Sequence, residues 1–193
     1  MGHRIHSTER LADPGTLLAT THPVGGGLRV RPRLARPSDA AGLRGFLEGL
    51  SPTTRERRFA RAMPIVPEAT VRSFTFYDPR ERLVVAATAM LGGGSLEEIV
   101  GLADLTHLSG GLAELAVVVG DLQQNRGVGK LLTEVIGALA MQQGATRLKA
   151  RMAEPDPAMT RLMQRLGRTM STVEDGVTVM HATLPGARRR DAA

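Results

Sequence analysis

The sequence predicts a mixed α/β (α+β) domain in which helices flank one central, mostly antiparallel β-sheet. Two apolar segments, 82–90 and 96–106, are separated by glycines and predict an antiparallel hairpin. An apolar strand at 113–119 leads through a glycine loop into an amphipathic helix, and 147–152 then alternates as another strand, which predicts a parallel pair. The 193 residues include no cysteine, so one hydrophobic core, without disulfides, must hold the domain together.

The first strand is predicted at 28–31, where apolar and basic residues alternate. Residues 1–26 mix glycine, proline, threonine and histidine without periodicity, so we expect a disordered N-terminal tail. The folded domain is then expected to span residues 27–185. Residues 186–193 form a basic C-terminal tail in this interpretation.

Two helices are predicted after the first strand. Ser38 is the expected N-cap of the first, whose buried face carries Leu43, Phe46, Leu47 and Leu50. Ser51 caps the second, with Pro52 in its first turn. The second helix also contains Phe59 and four arginines, namely Arg55, Arg57, Arg58 and Arg61. We favour a solvated arginine face anchored by the phenylalanine; the alternative is that this helix borders a substrate site.

Two more helices and a last strand are predicted from apolar spacing and turn residues. A short helix is expected at 67–76, before the hairpin. A helix beginning at Asp156 and ending at Gly167 has an apolar inner face of Met159, Leu162, Met163 and Leu166. The last strand is predicted at 177–184, after a turn at 174–176.

Composition excludes several function classes. The formal charge is +6, from 25 basic and 19 acidic residues, but aromatic residues are only 3% of the chain, so base-stacking surfaces for nucleic acid are scarce. Without cysteine there is no thiolate zinc site and no thiol nucleophile, and we predict no metal site. No segment has the length and hydropathy of a signal peptide or membrane span, so we expect no membrane association and a cytoplasmic protein.

The glycine loop after the 113–119 strand predicts an anion site, because glycine amides and a helix N-terminus both favour phosphate. A Walker A loop is excluded, since Gln124 and Leu131 stand where it needs glycine and serine or threonine. A dinucleotide fingerprint is excluded by Leu132, which stands where its third glycine belongs. The pattern that remains is Q-x-x-G-x-G, from Gln124 to Gly129.

In this pattern and its setting the chain resembles the GNAT superfamily of acyl-CoA-dependent N-acyltransferases. The predicted element order matches that superfamily over about residues 27–185. Residues 46–55, with Arg58 and Phe59, further resemble the start of bacterial Pat-type protein lysine acetyltransferase domains, whose pattern is roughly F-x-x-L-S-P-x-S-R-x-x-R-F. Thr54 stands where that pattern has serine.

The resemblance implies that acetyl-CoA binds where the predicted fourth and fifth strands splay apart. The pantetheine arm would hydrogen-bond the main chain of Val117, Val118 and Val119. The pyrophosphate would take the loop amides, with added charge from a lysine and an arginine; this loop comprises Gln124, Asn125, Arg126, Gly127, Val128, Gly129 and Lys130. The acceptor amine would enter from the opposite side.

Glu114 is the candidate general base. A carboxylate within an apolar strand is unfavourable unless it has a function or a partner. Its setting, Ala-Glu-Leu-Ala, also resembles the A-E-[IVL]-A of Pat-type domains, whose glutamate acts as base. The alternatives are a side chain that reaches solvent or pairs with an arginine, in which case Asp104 is the next candidate base. The family's tyrosine acid has no counterpart, because Met163 occupies its slot.

The function expected from this resemblance is acetyl-CoA-dependent N-acetyltransfer directly to an amine, with protein lysines as the favoured acceptors. One alternative is a small-molecule or antibiotic amine as acceptor. The other is a catalytically silent acyl-CoA-binding regulatory module. Because the chain has no cysteine, an acyl-thioester enzyme intermediate is excluded, and we expect direct transfer within a ternary complex.

Overall fold

One eight-stranded sheet organises the computed structural model, which describes residues 12–92 and 96–186. Its strands are β1 (His22–Pro23), β2 (Arg29–Leu34), β3 (Arg82–Met90), β4 (Glu97–His107), β5 (Leu112–Val119), β6 (Arg147–Met152), β7 (Arg168–Glu174) and β8 (Val177–Thr183). Its helices are α1 (Pro14–Ala19), α2 (Ala40–Gly49), α3 (Pro52–Phe59), α4 (Glu68–Thr75), α5 (Val128–Gln142) and α6 (Pro157–Leu166). The strand order is β1-β2-β3-β4-β5-β6-β8-β7, and only β5 and β6 pair in parallel. The predicted fold class is confirmed.

Two apolar cores cover the two faces of the sheet. On one face α1, α5 and α6 pack over the alternating apolar residues of the central strands. The other face is covered by α2 and α4, with Phe59 of α3 packed against the same core. Helix α5 approaches β4 closely at Gly101, where an added Cβ would lie 2.9 Å from Leu132 and 3.2 Å from Val128. This close approach fixes the start of α5 relative to the sheet.

The parallel pair is short. Strands β5 and β6 form only three residue pairs, Leu112–Arg147, Ala113–Leu148 and Glu114–Lys149. From Leu115 to Val119, β5 still pairs with β4, but no described strand pairs with its other edge. The sheet therefore opens between β5 and β6, as the resemblance implied for these two strands.

The N-terminal boundary differs from the expectation. Residues 14–19, expected within a disordered tail, form α1, and Asp13 caps this helix by accepting a hydrogen bond from the Thr16 backbone N–H at 2.8 Å. Leu17 is only 9% exposed and belongs to the core between the sheet and α5. A six-residue helix is too short to show a clear helical period, so its stability comes from this packing. The predicted tails at 1–11 and 187–193 lie outside the described residues.

Two smaller differences concern local sequence signals. Ser38 is not the N-cap of α2: it lies in a 3-10 turn, where the Asp39 carboxylate accepts hydrogen bonds from the Arg36 backbone and from Arg33. Strand β7 was not predicted at all. It pairs with β8 at the sheet edge and is almost wholly exposed, so its sequence carries no apolar alternation.

Leu17→Ala tests whether the N-terminal segment belongs to the fold. Removing this buried side chain should lower the free energy of unfolding by about 2–5 kcal/mol. Denaturant unfolding of both variants measures the loss, with Leu96→Ala as the control because Leu96 is 78% exposed. Equal stabilities for the two variants would contradict the packing of α1.

Candidate functional site

The loop between β5 and α5 has the geometry of an anion site. Asn125 and Gly127 both have positive φ values, 58° and 93°, and Gly127 directly precedes the first residue of α5. The first backbone N–H groups of α5 have no acceptor one turn earlier within the helix. Together with the helix dipole, these donors create positive potential at the loop.

The side chain of Gln124 forms hydrogen bonds from this loop to β5 and α3. Its amide nitrogen lies 3.2 Å from the Val119 carbonyl oxygen at the end of β5 and 3.4 Å from Thr54 Oγ1 on α3. Sequence reasoning considered only the backbone amide of Gln124. The structure adds that its side chain links the strand end to α3.

Asp121 joins α3 to the same loop. Its carboxylate accepts hydrogen bonds from the Ser51 backbone N–H at 2.8 Å, from Ser51 Oγ at 2.8 Å and from Thr54 Oγ1 at 2.6 Å. Desolvation alone would raise the pKa of Asp121, but the hydrogen bonds from Thr54 and Ser51 outweigh it and hold the pKa below its usual range. The predicted cap of α3 by Ser51 is confirmed, and the cap is itself bonded to the loop.

The N-terminal segment packs against the loop from outside. The Gly25 N–H donates to the Arg126 carbonyl at 2.7 Å, and a Cβ on Gly25 would lie 3.2 Å from the Arg126 Cα. Only a residue without a side chain allows so close an approach without displacing one backbone. Lys130 Nζ lies 3.7 Å from Glu134 Oε1, one turn further along α5. The contact between Gly25 and the loop was not predicted from the sequence, because the composition of residues 1–26 indicates a disordered tail and Gly25 is distant in sequence from Arg126.

Glu114 lies where β5 and β6 stop pairing. Its side chain is 37% exposed, and its Oε2 is 3.2 Å from Lys149 Nζ on β6. Glu114 therefore reaches solvent and also has a cationic partner, which is a lysine and not the arginine considered from the sequence. Its role as base stays a prediction. Glu114 pairs with Thr106 of β4, which lies two residues after Asp104 on that strand. The side chains of Glu114 and Asp104 therefore lie on the same face of the sheet.

Asp104, the second candidate base, is held by two arginines. It is 6% exposed and pairs with Arg58 of α3 and with Arg82, whose Nη2 lies 2.6 Å away. Both guanidinium groups also lie over the ring of Phe74, at 5.5 and 4.8 Å from its centroid. Both carboxylate oxygens of Asp104 are thus bonded to arginines, and the buried carboxylate joins α3 to the sheet.

These contacts correct the favoured interpretation of the arginine-rich helix. Arg55 is 9% exposed and donates to the Leu50 carbonyl at 3.0 Å, and the Arg58 side chain is 10% exposed. Neither arginine lies on a solvated face. Arg57 and Arg61 are exposed, as expected. Helix α3 is thus bonded to the loop at its start and to the sheet at Asp104.

No tyrosine is placed to act as an acid at Glu114. The chain's single tyrosine, Tyr77, donates its hydroxyl hydrogen to the Ala35 carbonyl at 2.9 Å, and burial raises its pKa. Met163 is fully buried in the core. The histidines of β4 and β8 have other partners: His107 contacts Gln143, and His181 lies 3.9 Å from Glu174.

Among the histidine, aspartate and glutamate residues of 12–92 and 96–186, no group of three or more could hold a metal ion. Over the same residues, every helix is too short or too polar to cross a membrane.

Asp121→Asn tests the link between α3 and the loop. The substitution should lower the free energy of unfolding by about 0.5–1 kcal/mol at neutral pH, a modest value because the carboxylate is exposed. Since the folded-state pKa is lowered, the stabilisation is complete above the unfolded value of about 3.9 and is lost as the pH falls through the folded value. Unfolding titrations from pH 7 to pH 2 measure it, with the exposed Asp175→Asn as control. A pH-independent difference would contradict the link.

Comparison with solved structures identifies the fold. The GNAT domain of S. lividans PAT aligns with 86% of this chain and 96% of its own, at 27% identity and a TM-score of 0.74. A mutant of the cAMP-binding acyltransferase from Mycobacterium smegmatis aligns at 25% identity and a TM-score of 0.56, over 86% of this chain and 47% of its own. An acetyltransferase of the GNAT family from Streptococcus pneumoniae aligns at 21% identity and a TM-score of 0.57, over 80% and 99%.

No family model and no curated protein matches the sequence. The structural matches nevertheless establish a GNAT fold that resembles the GNAT domain of PAT. They also support an acyltransferase enzyme with N-acetyltransferase activity.

Proposed function

We propose that this GNAT-fold acyltransferase transfers an acetyl group from acetyl-CoA directly to an amine, with the ε-amine of protein lysines as acceptor. The observation that carries the proposal is the opening between β5 and β6. Glu114 lies at its closed end, and the loop that begins α5 follows the opposite end of β5. The proposed base and the proposed pyrophosphate loop thus lie at the two ends of one exposed strand edge, which supports the proposal.

The residues along this edge fit the co-substrate. Val117, Val118 and Val119 have no strand partner on the β6 side among the described residues, so their backbone groups can bond the amides of the pantetheine arm. The pyrophosphate would be bound by the amides of residues 124–130 at the start of α5. GNAT neighbours generally use acetyl-CoA, which agrees with this assignment.

The chemistry requires a neutral amine. A lysine amine has a pKa near ~10.4 and is mostly protonated at neutral pH, so a base must accept its proton before it attacks the thioester carbonyl. Glu114 is exposed enough to meet an incoming amine, whereas Asp104 is bonded to two arginines. We therefore assign the base role to Glu114 and direct transfer to a ternary complex.

The acceptor class is inferred from the similarity to the GNAT domain of PAT and from the motif of α3. Ser51, Thr54 and Arg58 of that motif all make the contacts described above. An intact Glu114 argues against a silent acyl-CoA-binding module. The lack of cysteine is compatible with the cytoplasmic location that we propose.

Gly129→Asp tests the cofactor loop. Acetyl-CoA should raise the melting temperature of the wild type, because a ligand that binds only the folded state stabilises it. An aspartate at Gly129 places negative charge at the phosphate position, so the shift should be lost. Gln142→Asp adds the same charge at the far end of α5 and should keep the shift. A full shift with Gly129→Asp would refute the loop assignment.

Glu114→Gln tests the base. Glutamine keeps the size of the side chain but accepts no proton, so turnover on a lysine peptide should fall by about 10²–10⁴-fold. Acetyl-CoA affinity, measured by calorimetry, should change little, and raising the pH to 9.5 should recover part of the rate. Glu134→Gln is the matched control, since Glu134 also pairs with a lysine and is 34% exposed. Wild-type turnover in Glu114→Gln would exclude Glu114 as the base.

A further inference from the structure

The chain contains only two lysines, Lys130 and Lys149, beside 23 arginines. Lys130 lies in the first turn of α5 with 49% of its side chain exposed. Lys149 lies on β6, and its side chain is 18% exposed. A lysine this deeply placed is uncommon, because burial of an ammonium group is unfavourable without a close partner.

The partner of Lys149 is the residue to which we assign base catalysis. Its Nζ lies 3.2 Å from Glu114 Oε2. The two residues form the last register pair between β5 and β6, directly before the strands separate. The Lys149 amine is therefore in contact with the proposed base at the closed end of the opening, which is the contact that an incoming acceptor amine would make.

Lysine differs chemically from the arginines that form most of the other ion pairs. Within 12–92 and 96–186, Asp39, Asp104 and Glu68 all pair with arginine. A guanidinium group stays protonated in proteins and is not a nucleophile at neutral pH. A lysine amine can transfer a proton to a carboxylate and then attack a carbonyl carbon. A lysine at position 149 thus places a potential nucleophile beside Glu114.

We propose that Lys149 is an internal acceptor, so that the protein acetylates itself at this residue; the inference rests on the proposed function. Glu114 accepts one proton from the Lys149 ammonium group, and the freed electron pair attacks the thioester carbonyl of acetyl-CoA. A C–N bond forms as the C–S bond breaks, and the coenzyme A thiolate leaves. The nitrogen loses its second proton, so one of the two protons ends on the thiol and the other passes to solvent.

The product is ε-N-acetyl-Lys149, which carries no charge. Its amide cannot form an ion pair with Glu114, so modification releases the carboxylate from its cationic partner. Because the acetamide is stable, each protein molecule reacts once in the absence of a deacetylase.

The test is incubation of the full chain with acetyl-CoA and no acceptor, followed by peptide mapping of both lysines. In the folded protein Lys149 should be acetylated faster than Lys130, although it is less exposed. The heat-unfolded chain gives the ratio expected from non-enzymatic acetylation, and that ratio should be near one. The rate constant for Lys149 should not depend on protein concentration, because the base and the acceptor belong to one molecule. The same ratio in folded and unfolded protein, or a rate that rises with protein concentration, would overturn the inference.

Variants and a parallel assay complete the design. Glu114→Gln should slow acetylation of Lys149 by about 10²-fold or more, and Lys149→Arg should abolish the modified peptide while retaining the positive charge. Acetylation of an added lysine peptide is measured in the same samples. If the peptide is acetylated while Lys149 stays unmodified, the self-acetylation inference fails and the proposed function stands. If neither amine is acetylated, both fail.

Discussion

The early end of the parallel pairing between β5 and β6 is the constraint on which the site depends. After three residue pairs the strands separate, and the backbone of β5 from Leu115 onward is exposed along one edge. Each further pair would have covered this edge with β6. The close packing of α5 on β4 at Gly101 then sets the start of α5, and hence the glycine loop, relative to the exposed edge. Topology alone therefore aligns a donor-rich loop and a carboxylate along one strand.

Helix α3 connects the two ends of this arrangement. At its start Ser51 and Thr54 bond to Asp121 beside the loop, and near its end Arg58 bonds to Asp104 on the sheet. The residues that resemble the Pat-type motif thus connect the loop to the sheet face, because one short helix is bonded to both.

Helix α5 and the hairpin of β3 and β4 were predictable from the sequence, because the apolar residues of their buried faces recur at regular intervals. The glycine loop and Glu114 stood out for other local reasons, the Q-x-x-G-x-G pattern and a carboxylate within an apolar strand, and their roles stay predictions. Helix α1 and strand β7 were missed because one is six residues long and the other is exposed. The pairings of Arg58 with Asp104 and of Glu114 with Lys149 join residues distant in sequence, so only the fold reveals them.

The contact of the N-terminal segment with the loop determines where the domain can be truncated without disturbing the loop. Composition places the domain boundary at residue 27, and a fragment cut there would keep every strand from β2 onward and all the residues assigned to catalysis. It would lose Leu17 from the core and the hydrogen bond from Gly25 to Arg126. If the loop binds acetyl-CoA as we propose, such a fragment would bind it weakly, and its low activity would reflect a loop without support and not a defect in chemistry.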